Sequence, residues 1–246
     1  MRFDIDYYFE ETENEGIFNN LTKDKKDVME IFDSSAKFID ELGEKQEIHT
    51  DKIQENVKII GNVYIGEGTK IESGVIIKGP VYIGKNCEIM YNSYIRPGTI
   101  MEDNCVIGFS TEVKHTIMRE GSKVSDLAFV GDSIIGKNSR VGSGIIVANR
   151  GFNQSEVIIK DENKNKINLK RESIGVILGD NSRLGANCTT SPGTFVGKFT
   201  WVYPHTCIHG FIPELKKVYD KQNIIFEENE RKVLYKSTDW NYGNYS

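Results

Sequence analysis

Residues 53–113 read IQENVKIIGNVYIGEGTKIESGVIIKGPVYIGKNCEIMYNSYIRPGTIMEDNCVIGFSTEV. Every sixth residue from Ile53 is aliphatic: Ile59, Ile65, Ile71, Ile77, Ile83, Ile89, Ile95, Met101, Ile107 and Val113 follow it. In a chain that is 38% hydrophobic, chance gives eleven such sites with a probability on the order of 2 × 10⁻⁵ for one phase, so a structural period is required. Four residues after each aliphatic site stands a small or β-branched residue, among them Thr69, Cys87, Ser93, Cys105 and Thr111. Val63-Tyr64-Ile65 alternates as a strand does, and the Gly66 and Gly84 that follow such triplets suit a corner. Six residues therefore make one strand and one turn, and three such units make an 18-residue triangular coil. The offset is visible directly, since Val63-Tyr64-Ile65-Gly66 recurs as Val81-Tyr82-Ile83-Gly84.

The period breaks near Arg119 and is expected to resume at Phe129, Ile135, Val141 and Val147. It breaks again over 150–173 and returns at Leu178, Leu184, Thr190, Val196, Val202 and Ile208. The expected fold is mainly β, a parallel β-helix of about seven coils over 53–212. The interruption holds two alternating runs, Glu156–Lys160 and Lys166–Lys170, around the polar turn DENKN, and is expected to be a protruding hairpin that serves binding or is simply solvated. Residues 1–52 form an acidic segment followed by one amphipathic helix within 23–43 that caps an end of the solenoid. The repeat is expected to stop after Phe211-Ile212-Pro213, leaving a polar tail over 213–246.

Composition narrows the function. The 246 residues carry a formal net charge of −5, which argues against a nucleic-acid surface. No apolar run long enough to span a membrane occurs, and MRFDIDYYFEE lacks the apolar core of a secretory leader, so a reduced, cytoplasmic setting is expected. The four cysteines include no C-x-x-C pair, and Cys87, Cys105 and Cys188 fall on the small inward site as core thiols. His205 and His209 are four apart in a β region, and no metal site is assigned.

The hexad rule resembles that of the hexapeptide-repeat acyltransferases, whose coil is left-handed. That hand comes from the resemblance alone, because parallel crossovers are otherwise right-handed. Further motifs stand in fixed order: Arg96-Pro97-Gly98, Thr111-Glu112-Val113-Lys114, GSKVSDLAFVGDSIIG at 121–136, VGSGIIVANR at 141–150 and GVILGDNSRLGANCTTSPGTFVG at 175–197. Over residues from about 5 to 222 the chain looks like the C-terminal domain of the bifunctional sugar-1-phosphate nucleotidylyltransferase/glucosamine-1-phosphate N-acetyltransferase enzymes. The nucleotidyltransferase half is not expected here, since no Gly-rich phosphate loop precedes residue 52.

The resemblance implies a homotrimer, acetyl-CoA or another acyl-CoA as cofactor without a metal, and a sugar phosphate or nucleotide sugar as ligand. It assigns Arg96, Lys114 and Phe129 to the substrate, Asn149 to the neighbourhood of the acceptor amine, and Ser143, Ala186 and Pro204 to the acyl-CoA groove. The competing readings are solvated outer-face charge for Arg96 and Lys114 and a turn residue for Asn149. The family base is the histidine of K-x-x-H-L-x-Y-x-G-D; here the stretch is KVSDLAFVGD, with Asp126 at the histidine and Phe129 at the tyrosine. Lysines six and nine residues past the asparagine in some relatives are Ser155 and Ile158. An ordinary carboxyl titrates near about 3.9 and is poorly matched to deprotonating an ammonium. Two functions therefore stand side by side: an acyltransferase with Asp126 in the base position, and a sugar-phosphate-binding or scaffold protein that partners a separate nucleotidyltransferase. His115, which follows Lys114, is expected to be an exposed turn residue.

Overall fold

The structure is a computed structural model that describes residues 3–10, 16–43, 46–161 and 163–220. Each coil passes through three short strands, and each strand pairs in parallel with its counterpart one coil away. A first face has nine strands, from Glu47–Ile48 to Phe211–Ile212. A second has eight, from Lys70–Ile71 to Lys217–Val218, and a third has eight, from Lys58–Ile60 to Cys207–Ile208. The register is the 18-residue offset of the sequence: Val63, Tyr64 and Ile65 lie against Val81, Tyr82 and Ile83. The stack is longer than the expected seven coils because both ends extend it. Glu47–Ile48 joins the first face ahead of the hexads, and Lys217–Val218 pairs with Trp201–Val202 past the expected stop.

The aliphatic sites fill the interior: Ile65, Ile71, Ile77, Ile83, Ile89, Ile95 and Met101 are completely buried. The small sites have a second role beyond volume. Thr69, Ser93 and Thr111 each donate a buried hydroxyl to a carbonyl of the next coil, Gly84, Gly108 and Ser125, at 2.7 Å. Cys87, Cys105 and Cys188 point their thiols at Glu102, Arg119 and Tyr203 carbonyls at 3.2, 3.2 and 3.1 Å. A buried carbonyl left without a donor is costly, so this column selects small residues that carry a donor wherever the ladder leaves a lone pair open.

The break near Arg119 is two successive shortened corners. Val113 to Met118 and Val130 to Ile135 are five residues apart instead of six, and all four are buried. Phe129 is accordingly not an inward site, as the hexad count expected; Val130 is, and Phe129 faces outward beside Glu112.

The N-terminal residues do not cap an end. Three helices, α1 (Ile5–Tyr8), α2 (Ile17–Thr22) and α3 (Glu30–Glu41), contribute Ile5, Tyr8, Phe18, Leu21, Ile31 and Ile39 to a second core, joined by Phe9 just past α1. Its other half is the outer side of the first face: Ile100, Ile117, Ile134, Ile177 and Phe195. Phe38 closes edge-on over Tyr82, which stacks on Tyr64 with ring centroids 4.6 Å apart. The 150–173 insertion does form an antiparallel hairpin, Ile158–Lys160 with Lys166–Asn168, but it lies down instead of protruding. Val157, Ile159 and Leu169 are buried in the second core, and Arg171 pairs with Asp33 of α3. No helix among the described residues is long and apolar enough to cross a membrane.

One buried ion pair fastens this flank. Arg119 donates through Nη1 to both oxygens of Asp180, at 2.9 and 2.7 Å, and through Nη2 to the Glu10 carbonyl at 3.2 Å. Its guanidinium lies 4.0 Å from the centre of the Phe18 ring. Asp180 also accepts from the Lys137 and Glu10 amides, at 2.6 and 2.8 Å. Burial pushes the Asp180 carboxyl up, and the Arg119 charge and backbone donors only partly offset it. Replacing Asp180 with Ala strands a buried guanidinium, so urea unfolding is expected to show a loss of about 3–5 kcal/mol. A loss below about 1 kcal/mol, the size of a surface pair, contradicts this assignment.

Candidate functional site

Two corners border the third face, and they carry the candidate residues in two separate columns. At the corner leading into this face, backbone bonds tie each coil to the next. The Gly144 amide donates to the Asp126 carbonyl (2.9 Å), Asn187 to Ser143 (2.9 Å) and His205 to Ala186 (3.0 Å). Asp126, Ser143, Ala186 and Pro204 are thus stacked in one file, with Ala186 and Pro204 exposed. Tyr203 turns its ring toward Tyr219 one coil on, centroids 6.0 Å apart.

Asp126 has a structural partner there. Its Oδ1 accepts from the Phe109 amide at 2.9 Å. Asp103 does the same for Lys85 (2.7 Å) and Asp180 for Lys137 (2.6 Å), one corner away. A Cβ on Gly108, Gly84 or Gly136 would strike these carboxylates, so a glycine underlies each of these three aspartates. The aspartate at the family's histidine position therefore closes a turn.

The other column sits where the third face leads into the first. Arg96, Lys114 and Asn149 are brought together at this corner with two residues that the sequence reading did not assign to the site, His115 and Asp132. Elsewhere in the column the left-handed backbone position is held by Gly61, Gly98, Gly193 and Gly210. At the two shortened corners it is held by His115 (φ 43°) and Asp132 (φ 50°). Side chains pay a steric cost in this region, which Asn86, Asn92 and Asn104 bear at other corners of the coil. The next residue compensates: Thr116 and Ser133 hydroxyls each donate to the carbonyl two residues back, Lys114 and Gly131, at 2.8 Å.

Asp132 is the centre of this cluster. Its side chain is 10% exposed. Oδ2 accepts from Asn149 Nδ2 at 2.5 Å and lies 3.3 Å from Lys114 Nζ, while Oδ1 lies 3.3 Å from His115 Nδ1. Burial alone would raise the Asp132 carboxyl; the contacts from His115 and Asn149 and the Lys114 charge outweigh it and hold the carboxyl below its usual range. Gly131 makes the room, since a Cβ there would lie 3.1 Å from Asn149 Nδ2, Lys114 Cε and the edge of Phe129. Arg96, one coil before, pairs with Glu112 at 2.6 Å, both about two-fifths exposed. Both cations are thus paired with a carboxylate, Arg96 on the exposed surface and Lys114 with the largely buried Asp132, and Asn149 hydrogen-bonds that same Asp132 carboxylate. Ser155 and Ile158 lie on the exposed side of the hairpin segment.

Beside this column lies a crevice of about 290 Å³, walled by Pro97, Gly98, His115 and Asp132 on the coil side and by Phe32 and Asp40 of α3, with Arg171 and Ser173 of the insertion. A larger cavity, about 1230 Å³, lies between the N-terminal segment, the hairpin and the last coils. Of the residues at family positions only Ile158 lines it, beside Lys160 and Lys164 of the hairpin. No group of three or more His, Cys, Asp or Glu side chains able to hold a metal occurs among the described residues.

A model of the "GMPPB C-terminal domain" matches residues 77–174, and one of the "hexapeptide repeat of succinyl-transferase" matches 173–198. The fold is a hexapeptide-repeat β-helix. It is 37% identical over 157 residues to a bifunctional sugar-1-phosphate nucleotidylyltransferase/acetyltransferase of Sulfurisphaera tokodaii, covering 64% of this chain and 39% of that protein. It is 40% identical over 184 residues to the bifunctional protein GlmU of Methanocaldococcus jannaschii, covering 74% of this chain and 45% of that protein. The chain thus spans less than half of each relative. A UDP-N-acetylglucosamine acyltransferase of Francisella novicida aligns in structure with a TM-score of 0.47 and 17% identity, over 70% of this chain and 65% of that one.

The partners of Asp132 make a pH test. Its carboxyl is lowered in the folded state, so its stabilisation is complete above its unfolded value, about 4, and is lost as pH falls through the folded value. At pH 7, Asp132→Asn is expected to lower stability by about 1–3 kcal/mol, and the gap to wild type should close on acidification below about pH 4. Urea titrations at both ends of this range check it; a gap that ignores pH contradicts the charge partners assigned.

Proposed function

We propose that this hexapeptide-repeat protein transfers an acyl group from acyl-CoA to an amino sugar phosphate or a nucleotide-linked amino sugar. The observation that carries the reading is the cluster at the third-face corner. Lys114, Asn149 and Arg96 stand at the positions that the resemblance assigns to the phosphate and the acceptor amine, and Asp132 orders two of them. A phosphate dianion can recruit Arg96 at small cost, because its present pair with Glu112 is surface-exposed and worth about 0–1 kcal/mol. Ser143, Ala186 and Pro204 supply a file of compact side chains suited to an extended pantetheine arm.

The two columns lie on opposite edges of the third face of one chain. A complete site therefore draws on two chains, the acyl-CoA file of one facing the polar corner of the next, and we propose a homotrimer as the arrangement that closes it. A second reading, a sugar-phosphate-binding scaffold without catalysis, is favoured by one specific feature: the residue at the family's base position, Asp126, engages the Phe109 amide through Oδ1 as a turn contact.

Calorimetry with glucosamine-1-phosphate and with acetyl-CoA separates the columns. The double variant Arg96→Ala, Lys114→Ala is expected to weaken the sugar phosphate about 10- to 100-fold, the loss of one or two charged hydrogen bonds, and to leave acetyl-CoA binding intact. Ala186→Trp is expected to do the reverse. Equal losses for both ligands in either variant contradict the division, and a wild type that binds neither contradicts the proposed function. Light scattering should give the mass of three chains.

A further inference from the structure

We infer that His115 is the proton acceptor of this site, held in place by Asp132, and that it serves an amine entering the crevice between α3 and the shortened corners. The inference rests on the acyltransfer reading above and assigns the base to a residue other than Asp126.

Four observations carry it. The coil loses one residue at each of two successive corners, and those corners place His115 and Asp132 one above the other, with the Asp132 amide bonded to the Lys114 carbonyl at 3.0 Å. Both residues accept a left-handed backbone where glycine stands in neighbouring coils. The carboxylate lies 3.3 Å from Nδ1, which fixes the ring by that nitrogen and leaves Nε2 as the reactive one. The ring lies over Gly98, where any side chain would collide with it, and it lines the crevice. Imidazole is the side chain whose ordinary titration spans neutral pH, which suits the acceptor of an amine proton as an aspartate does not.

The charged groups facing His115 are Asp132 and, through it, Lys114 on the coil, Asp40 on α3, and Arg171 on the insertion, itself paired with Asp33. The step balances without a further reactant. The amine nitrogen forms a bond to the thioester carbonyl carbon, and the N–H proton passes to His115 Nε2. The carbon–sulfur bond breaks, and the proton goes on to the departing thiolate, giving an amide and free CoA thiol. Asp132 touches none of the reacting atoms and acts as a positioning residue.

The test measures thiol release from acetyl-CoA with glucosamine-1-phosphate as acceptor. His115→Ala and His115→Gln are expected to lower kcat by about 10²–10⁴-fold, with thermal melts and calorimetric affinities for both ligands close to wild type. The acidic limb of the kcat–pH profile should vanish in both, and added imidazole should restore part of the rate in His115→Ala. In Asp132→Asn kcat should fall while both calorimetric affinities stay near wild type, and Asp132→Glu should restore part of the rate; a merely structural role would lower affinity together with kcat. If wild type turns over and both His115 variants keep kcat within about threefold, the inference is overturned while the acyltransfer reading stands. If wild type releases no thiol, the acyltransfer reading falls, and the role of His115 falls with it.

Discussion

Every coil of this protein hands its backbone hydrogen bonds to the coil above, and that single constraint fixes everything else. Amides at the corners donate to carbonyls one coil back, as Gly98 does to Pro80 (2.8 Å), His115 to Pro97 (3.1 Å) and Asp132 to Lys114 (3.0 Å). Residues with no sequence relation are thereby stacked in files about 4.8 Å apart. A chemical group is placed in such a scaffold by choosing its file. Arg96, Lys114, Asp132 and Asn149 share one edge of the third face for this reason, and Asp126, Ser143, Ala186 and Pro204 share the other.

The same constraint explains what the sequence made legible. Interior positions recur every six residues because the ladder permits no drift, so the fold class, the inward aliphatic residues and the core cysteines could be read directly. The shortened corners were visible only as a loss of phase. They required noticing that Val113 and Met118, then Val130 and Ile135, are five apart, and the residue left over at each is His115 or Asp132. A strict six-step count placed Phe129 inside instead. Motif matching drew attention to Asp126, where a histidine was missing, and away from the adjacent corner, where one was present. Only the stacking shows that Asp126 belongs with Asp103 and Asp180 as a residue that caps the turn below it.

The seat of the N-terminal segment had a signal too. Strands of the first face read Thr-Ile-Met, Val-Ile-Leu and Thr-Phe-Val, buried at all three positions. A strand open to water on its outer side alternates; a continuous apolar run is covered on both. Ile100, Ile177 and Phe195 thus marked the landing site of α1–α3 before any contact was known. What no pattern could supply is the Arg119–Asp180 pair, joined across 61 residues, or the contact of Arg171 with α3 that roofs the crevice. Both depend on how separate segments converge, and the crevice by His115 exists only because they do.

The central claim is that the two shortened corners build a ligand site. A crystal structure of the protein soaked with glucosamine-1-phosphate tests it most directly. The account predicts density at the third-face corner, phosphate oxygens on Lys114 and Arg96, and the amino group turned into the crevice toward His115. Density confined to the larger cavity beside the hairpin, with Lys114, Asp132 and Asn149 still joined as before, would contradict it.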